Sequence, residues 1–225
     1  MTPTTKTLLA AILFTGSTAH ALTCPPPETR DLAGFWESRD TSKGGIGHTV
    51  EFRPDGTYVE ATTVLVNGAY RVSGDRLIVG ETASAMEGDT AARGSRFEIQ
   101  GDTLIQTSPD GSTLKKERLG KAEEGGPAIV GAWRYRHPTG ATAFEKYDPD
   151  GKMLFRLPMT SSTGCYKITG DRISFNSPGH KKKEVTFEAR SGELVLKDRR
   201  KPAAVYSRPA AGPWYDREQI DIKMR

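Results

Sequence analysis

Apolar and polar side chains alternate along much of the chain: Val50 and Phe52 with Glu51 and Arg53, Tyr70 and Val72 with Arg71 and Ser73, Ile173 and Phe175 with Arg172 and Ser174. A period of two sends successive side chains to opposite faces, so each run predicts a β-strand with one buried face. Short turn-forming clusters separate the runs: Pro54-Asp55-Gly56, Ser73-Gly74-Asp75, Gln100-Gly101-Asp102, Pro149-Asp150-Gly151, Thr169-Gly170-Asp171 and Ser191-Gly192-Glu193. They supply the preset or positive φ that hairpins need. No stretch carries a helical spacing, and the class expected is all-β.

The pattern occurs twice. Gly34-Phe35-Trp36 returns as Gly131-Ala132-Trp133, and Phe52 with Pro54-Asp55-Gly56 returns as Tyr147 with Pro149-Asp150-Gly151. The run from Gly68 to Leu77 is answered by Gly164 to Ile173, the run from Phe97 to Leu104 by Phe187 to Leu194, and Arg118 falls opposite Arg208. The spacing between copies shrinks along the chain, as small loop deletions in a tandem duplication would make it. Two domains are therefore expected, at 32–120 and 128–209, with the charged, Gly-rich 121–127 as linker. A Pro-rich segment, 22–31, precedes them, and a tail, 210–225, carries Trp214 and Tyr215.

Counting runs and turns gives about eight short strands per copy, near Phe35, Val50, Val59, Tyr70, Leu77, Phe97, Leu104 and Lys116 in the first. A meander of this kind either leaves two raw edges or closes on itself. Closure of each copy into an up-and-down antiparallel barrel is the economical arrangement. The alternative is one larger sheet to which both copies contribute.

Gly-x-Trp on the first strand, with an Arg on the last, resembles the lipocalin and calycin pattern, in which the Trp closes one barrel end and the Arg packs across it. Both copies carry both parts, Trp36 with Arg118 and Trp133 with Arg208. The F-x-P-D-G-x-Y and G-x-Y-x-V-x-G-D-x-L elements look more like short bacterial lipocalin-like domains than long ligand carriers. The resemblance covers nearly all of Leu32 to Arg208. Each copy is shorter than a full lipocalin and lacks the usual helix after the barrel. The resemblance implies two tandem barrels and binding of a small apolar or amphipathic ligand. The four residues themselves are expected to act structurally, since an Arg over a Trp face contributes roughly 0.5 to 2 kcal/mol with no ligand.

The first residues change the picture of where the protein works. Lys6, the short apolar run Leu8 to Phe14, and Ala19-His20-Ala21 read as a signal peptide, 1–21, cut after Ala21. Export, to the periplasm or beyond, permits the 2 cysteines, Cys24 and Cys165, to form a disulfide. No run is apolar enough for a membrane helix.

Candidate chemistry is thin. The P-D-G at Asp55 and Asp150 reads as a hairpin turn; Asp148-Pro149-Asp150-Gly151 lacks the further ligands of a calcium loop. The histidines and cysteines show no metal spacing, and G-x-S-x-G, H-E-x-x-H and phosphate-loop motifs are missing. No catalytic residue, metal or cofactor is expected. The net charge of +4 is mild but clustered at Lys181-Lys182-Lys183 and at Lys197 to Lys201. These read as solvated hairpin tips, or as a face for an anionic surface or acidic partner. Nucleic acid is not expected.

The interior of the second copy is the less uniform, because Glu145 falls where the first has Val50. Either a bulge turns Glu145 out and Phe144 in, or the buried carboxylate needs a partner. A pocket among Met153, Phe155, Ile173 and Phe175, entered by loops around Pro158 to Gly164, is the expected ligand site. The function expected is non-catalytic binding of a small hydrophobic ligand. The competing expectation is a protein-binding module of the cell envelope, or a secreted inhibitor, with filled barrels and working loops.

Overall fold

The computed structural model describes residues 22–28, 32–80, 94–122, 127–199 and 201–209. The expected signal segment, the centre of the linker and the C-terminal tail lie outside the described residues. Within them the chain forms fourteen antiparallel strands: β1 (Gly34–Ser38), β2 (Ile46–Phe52), β3 (Thr57–Ser73), β4 (Arg76–Gly80), β5 (Ser95–Gln100), β6 (Thr103–Thr107), β7 (Thr113–Leu119), β8 (Gly131–Arg136), β9 (Thr142–Tyr147), β10 (Lys152–Thr169), β11 (Arg172–Asn176), β12 (Lys183–Arg190), β13 (Glu193–Lys197) and β14 (Ala204–Ser207). Each copy of the repeat thus contributes seven strands rather than eight. Val59 and Tyr70, expected on separate strands, share β3, and Pro158 to Gly164, expected as loops, lie inside β10. Both strands carry turn-type residues, Asn67-Gly68 in β3 and Pro158 with Thr160 to Gly164 in β10, but the ladder between the two strands pairs them and holds the backbone extended.

All fourteen strands close into one ring, with β1 paired to β14, and β3 pairs additionally with β10 across the middle. That central ladder runs from Thr57 opposite Cys165 to Ala69 opposite Lys152. On its two outer flanks β2 and β11 attach at one end, β4 and β9 at the other. The ring is therefore pinched into two eight-stranded lobes that share the β3–β10 ribbon. Lobe 1 consists of β1, β2, the first half of β3, the second half of β10, and β11 to β14. Lobe 2 consists of the second half of β3, β4 to β9, and the first half of β10. Neither lobe is one repeat: lobe 1 takes three strands from the first copy and five from the second, and lobe 2 takes five from the first and three from the second. This corrects the expectation that each copy closes on itself; the larger shared sheet is what forms.

The cores follow the lobes. Trp36, Val50, Phe52 and Tyr58 of the first copy pack with Tyr166, Ile168, Ile173, Phe175 and Leu194 of the second in lobe 1. Tyr70, Leu77 and Leu104 pack with Trp133, Tyr147 and Met153 in lobe 2. The exchange is written into the turns as well. Tyr70 donates its hydroxyl to the Asp148 carbonyl at 2.8 Å, and Tyr166 donates to the Arg53 carbonyl at 3.0 Å. Each G-x-Y tyrosine thus holds the residue that opens the other copy's P-D-G turn. The turns close as hairpins, with Gly56 and Gly151 at φ 83° and 84°.

A β-bulge at Met159 lets β10 serve both lobes. Pro158 lies opposite Thr63 and Thr160 opposite Thr62, so one residue is inserted between them. Without it, Met153 and Phe155 would face away from the side that carries Tyr166 and Ile168, because a one-residue slip exchanges the faces of a strand.

The lobes also pack on each other. Phe35, Val59 and Ala61 from the outer wall of lobe 1 meet Phe144 and Leu119 from that of lobe 2. Beside them Arg156 makes a two-pronged ion pair with Glu37, at 2.9 Å through both Nε and Nη2. Arg156 Nη1 donates further to the Val66 carbonyl and to Asn67 Oδ1, at 3.1 and 3.0 Å. Cys24 is joined to Cys165, a separation of 141 residues, which ties the Pro-rich N-terminal segment to the ribbon. Closing a loop of that length is worth about 5 kcal/mol in the chain-entropy account. Among the described residues no helix is long and apolar enough to cross a membrane.

Candidate ligand site

Trp36 and Trp133 sit at equivalent places, one per lobe, and each donates its indole N–H to a backbone carbonyl, Leu32 or Ile129, at 2.9 Å. Arg208 lies over Trp36, 4.1 Å from the ring centroid, and Arg118 over Trp133 at 4.0 Å. The four residues expected at the barrel ends do pair as arginine over tryptophan, but with partners exchanged: Trp36 meets the arginine of the second copy. The preceding glycine is required by this stack. Gly34 and Gly131 have φ 122° and 123°, and a Cβ on either would come within 2.5 or 2.9 Å of the arginine Nη1.

The pocket expected among Met153, Phe155, Ile173 and Phe175 is divided between lobes. Met153 and Phe155 face lobe 2, whereas Ile173 and Phe175 belong to lobe 1. In lobe 1 Phe52, Tyr58, Tyr166 and Phe175 pack ring against ring at centroid distances of 4.9 to 6.1 Å. The basic runs beginning at Lys181 and Lys197 stand at the same end of this lobe, because the start of β12 pairs with the end of β13.

Lobe 2 holds the polar interior. Glu145 faces inward and is 9% exposed, while Phe144 faces out into the contact between lobes. The bulge that would have reversed them is not there; the carboxylate has partners instead. Lys116, 2% exposed, donates to Glu145 Oε2 through a short contact. Tyr135 donates to Oε1 at 3.0 Å and Tyr147 to Oε2 at 2.5 Å. The Lys116 ammonium lies 5.0 Å from the Tyr135 ring centroid and 6.0 Å from that of Tyr147, within reach of both π faces. Burial holds the Lys116 amine below its ordinary pKa, with Glu145 opposing that shift. Burial, then the negative charge of Glu145, pushes both tyrosine hydroxyls above theirs.

This cluster lies beneath an opening in the wall. β7 pairs with β8 only from Glu117 to Leu119; Thr113 to Lys116 have no counterpart on β8. The strands diverge there, leaving a cleft of about 580 Å³ lined by Thr103, Lys115, Lys116, Glu117, Arg134, Tyr135, Arg136 and Thr142. Lys115 and Arg136 are exposed at its rim, and Arg134 is paired with Glu117 at 2.8 Å. Inside the same end, Tyr135, Ala143 and Leu157 form an apolar cluster with the partly buried Val64, Leu114 and Phe155. Gln106 Oε1, on the strand beside β7, is buried without a hydrogen-bond partner. A molecule entering here would meet Lys115 and Arg136 at the rim and Tyr135, over whose ring the Lys116 ammonium stands.

The sequence leaves Glu145 open between an outward and a buried position and gives Lys116 only a place on a strand. Its signal was present: Leu114, Lys116 and Arg118 alternate on one face, and Arg118 faces inward. Among the described residues no three His, Cys, Asp or Glu side chains gather as metal ligands. In comparisons with protein-family models, curated proteins and solved structures, the chain matches none.

Proposed function

We propose that this is an exported, non-catalytic binding protein of lipocalin-like character that holds one small amphipathic ligand in lobe 2. The observation that supports the reading is the buried Lys116, one of the residues lining a lateral cleft, with its ammonium over the ring of Tyr135, which in turn packs with Leu157 and Phe155. A buried charge is expensive unless paired, and here it is retained where a leucine would fill the space at no such cost. A polar head would meet Lys116 under the rim of Lys115 and Arg136, and an apolar tail would lie along the Val64 and Phe155 side. Met153 and Phe155 keep the role expected of them in this reading; Ile173 and Phe175 do not share it.

The test is native mass spectrometry of the mature protein purified from the periplasm without detergent, followed by titration with decanoate. An added mass lost on denaturation, or decanoate binding that Phe155→Ala weakens several-fold, supports the reading. A bare mass and no decanoate binding would favour a protein-binding module, for which lobe 1 and its basic hairpin ends provide the surface.

A further inference from the structure

We propose that Lys116 is a carbonyl-capturing residue, and that the ligand class of lobe 2 includes amphipathic aldehydes held as an iminium on its Nζ. The inference rests on the binding reading above and names the head group that reading leaves open.

Three arrangements support it. Lys116 is buried in the lobe, yet it is one of the residues that line the lateral cleft where β7 and β8 diverge. Glu145 receives the lysine directly and is itself fixed by the hydroxyls of Tyr135 and Tyr147, which leaves it placed to move protons at Nζ. The apolar cluster of Leu157, Val64 and Phe155 gives a hydrocarbon chain a place to lie, and it includes Tyr135, whose ring the Lys116 ammonium stands over at 5.0 Å. An amine in such surroundings gives up its proton more easily than one in water, and desolvation is what holds Lys116 below the ordinary lysine range.

The step balances with these groups alone. The ammonium passes one proton to Glu145, and the nitrogen lone pair attacks the carbonyl carbon. The carbonyl oxygen takes the proton from Glu145, giving a carbinolamine. Glu145 then collects a second nitrogen proton and delivers it to the hydroxyl, which leaves as water while C=N forms. Ammonium and aldehyde have become iminium and water, and the positive charge still faces the Glu145 carboxylate. Tyr135 and Tyr147 act as positioning residues for that carboxylate.

The experiment is reaction of the mature protein with decanal and sodium cyanoborohydride at neutral pH, with intact mass and peptide mapping over time. The expected result is a single reduced adduct on Lys116, formed about tenfold faster than on exposed lysines such as Lys115. The adduct should be lost in the double variant Lys116→Met with Glu145→Gln, which removes both charges together so that neither is stranded. Glu145→Gln alone should slow the adduct without moving it. Adducts spread evenly over surface lysines, or an unchanged rate in the double variant, would overturn the inference. Decanoate binding without an adduct at Lys116 would sink this inference alone; failure of both probes would sink the binding reading too.

Discussion

Arg208, near the end of the described chain, lies over the face of Trp36, near its start, at 4.1 Å from the ring centroid, and donates to the Ala33 carbonyl at 2.9 Å. The same contact joins Arg118 to Trp133. The last strand of each copy is thus fastened to the first strand of the other, and the stack closes a lobe that neither copy could close alone. Coupling energies should follow this pairing. A double-mutant cycle of Trp36→Phe with Arg208→Ala, measured by urea unfolding, is expected to give about 0.5 to 2 kcal/mol, and the cycle of Trp36→Phe with Arg118→Ala close to zero. The reverse ranking would contradict the exchanged closure.

The buried pair between lobes makes a second prediction. Glu37 and Arg156 are 8% and 4% exposed and bonded through two prongs. Arg156→Ala leaves Glu37 buried without its cation and should cost about 3 to 5 kcal/mol, whereas Arg156→Met with Glu37→Leu should be nearly neutral or stabilising. Chemical denaturation of the two variants checks both; equal losses would mean that the charges themselves hold the lobes together.

Exchange of halves also predicts how the chain behaves when divided. Residues 22–122 or 127–209 alone lack three strands of one lobe and five of the other, so neither should give a folded monomer. Produced together, they should recover a one-to-one complex through the β3–β10 ladder and the Cys24–Cys165 bond. Size-exclusion chromatography with light scattering reads the outcome, and a stable monomeric half would show that each copy can close on itself after all.

Alkali should loosen lobe 1. Burial, with the charge of Glu60 adding to it, pushes the Tyr206 hydroxyl up to about 12 from 10.0. A group whose pKa is raised by folding stabilises below its unfolded value and loses that contribution as pH climbs through the folded one. The loss therefore falls between pH 10 and about 12, and amounts to roughly 2 to 3 kcal/mol. Tyr206→Phe should flatten the fall in stability across that window; an unaltered slope would show that Tyr206 does not titrate between the two states.

Local physics was readable in the chain by itself. Alternation of period two marked Val50 to Phe52 and Ile173 to Phe175 as strands, and P-D-G marked the hairpins, because both depend on residues a few positions apart. The duplication, the Gly-x-Trp with its arginine, and Cys24 with Cys165 were legible for the same reason: identity and spacing carry them. Glu145 stood out because its counterpart is Val50.

Only the tertiary structure decided which copy each strand joins. Backbone ladders are chemically alike, and two copies of one repeat offer nearly equivalent edges, so sequence does not distinguish Trp36 with Arg118 from Trp36 with Arg208. The choice follows from β3 and β10, which run straight through the place where a turn would have kept each copy to itself, and from the Met159 bulge that turns Met153 and Tyr166 to the same side. That same choice separated Ile173 and Phe175 from Met153 and Phe155, and it brought Lys116 of one copy onto Glu145 of the other. Burial and charge pairing are properties of the closed ring, and they arise only once distant segments have met.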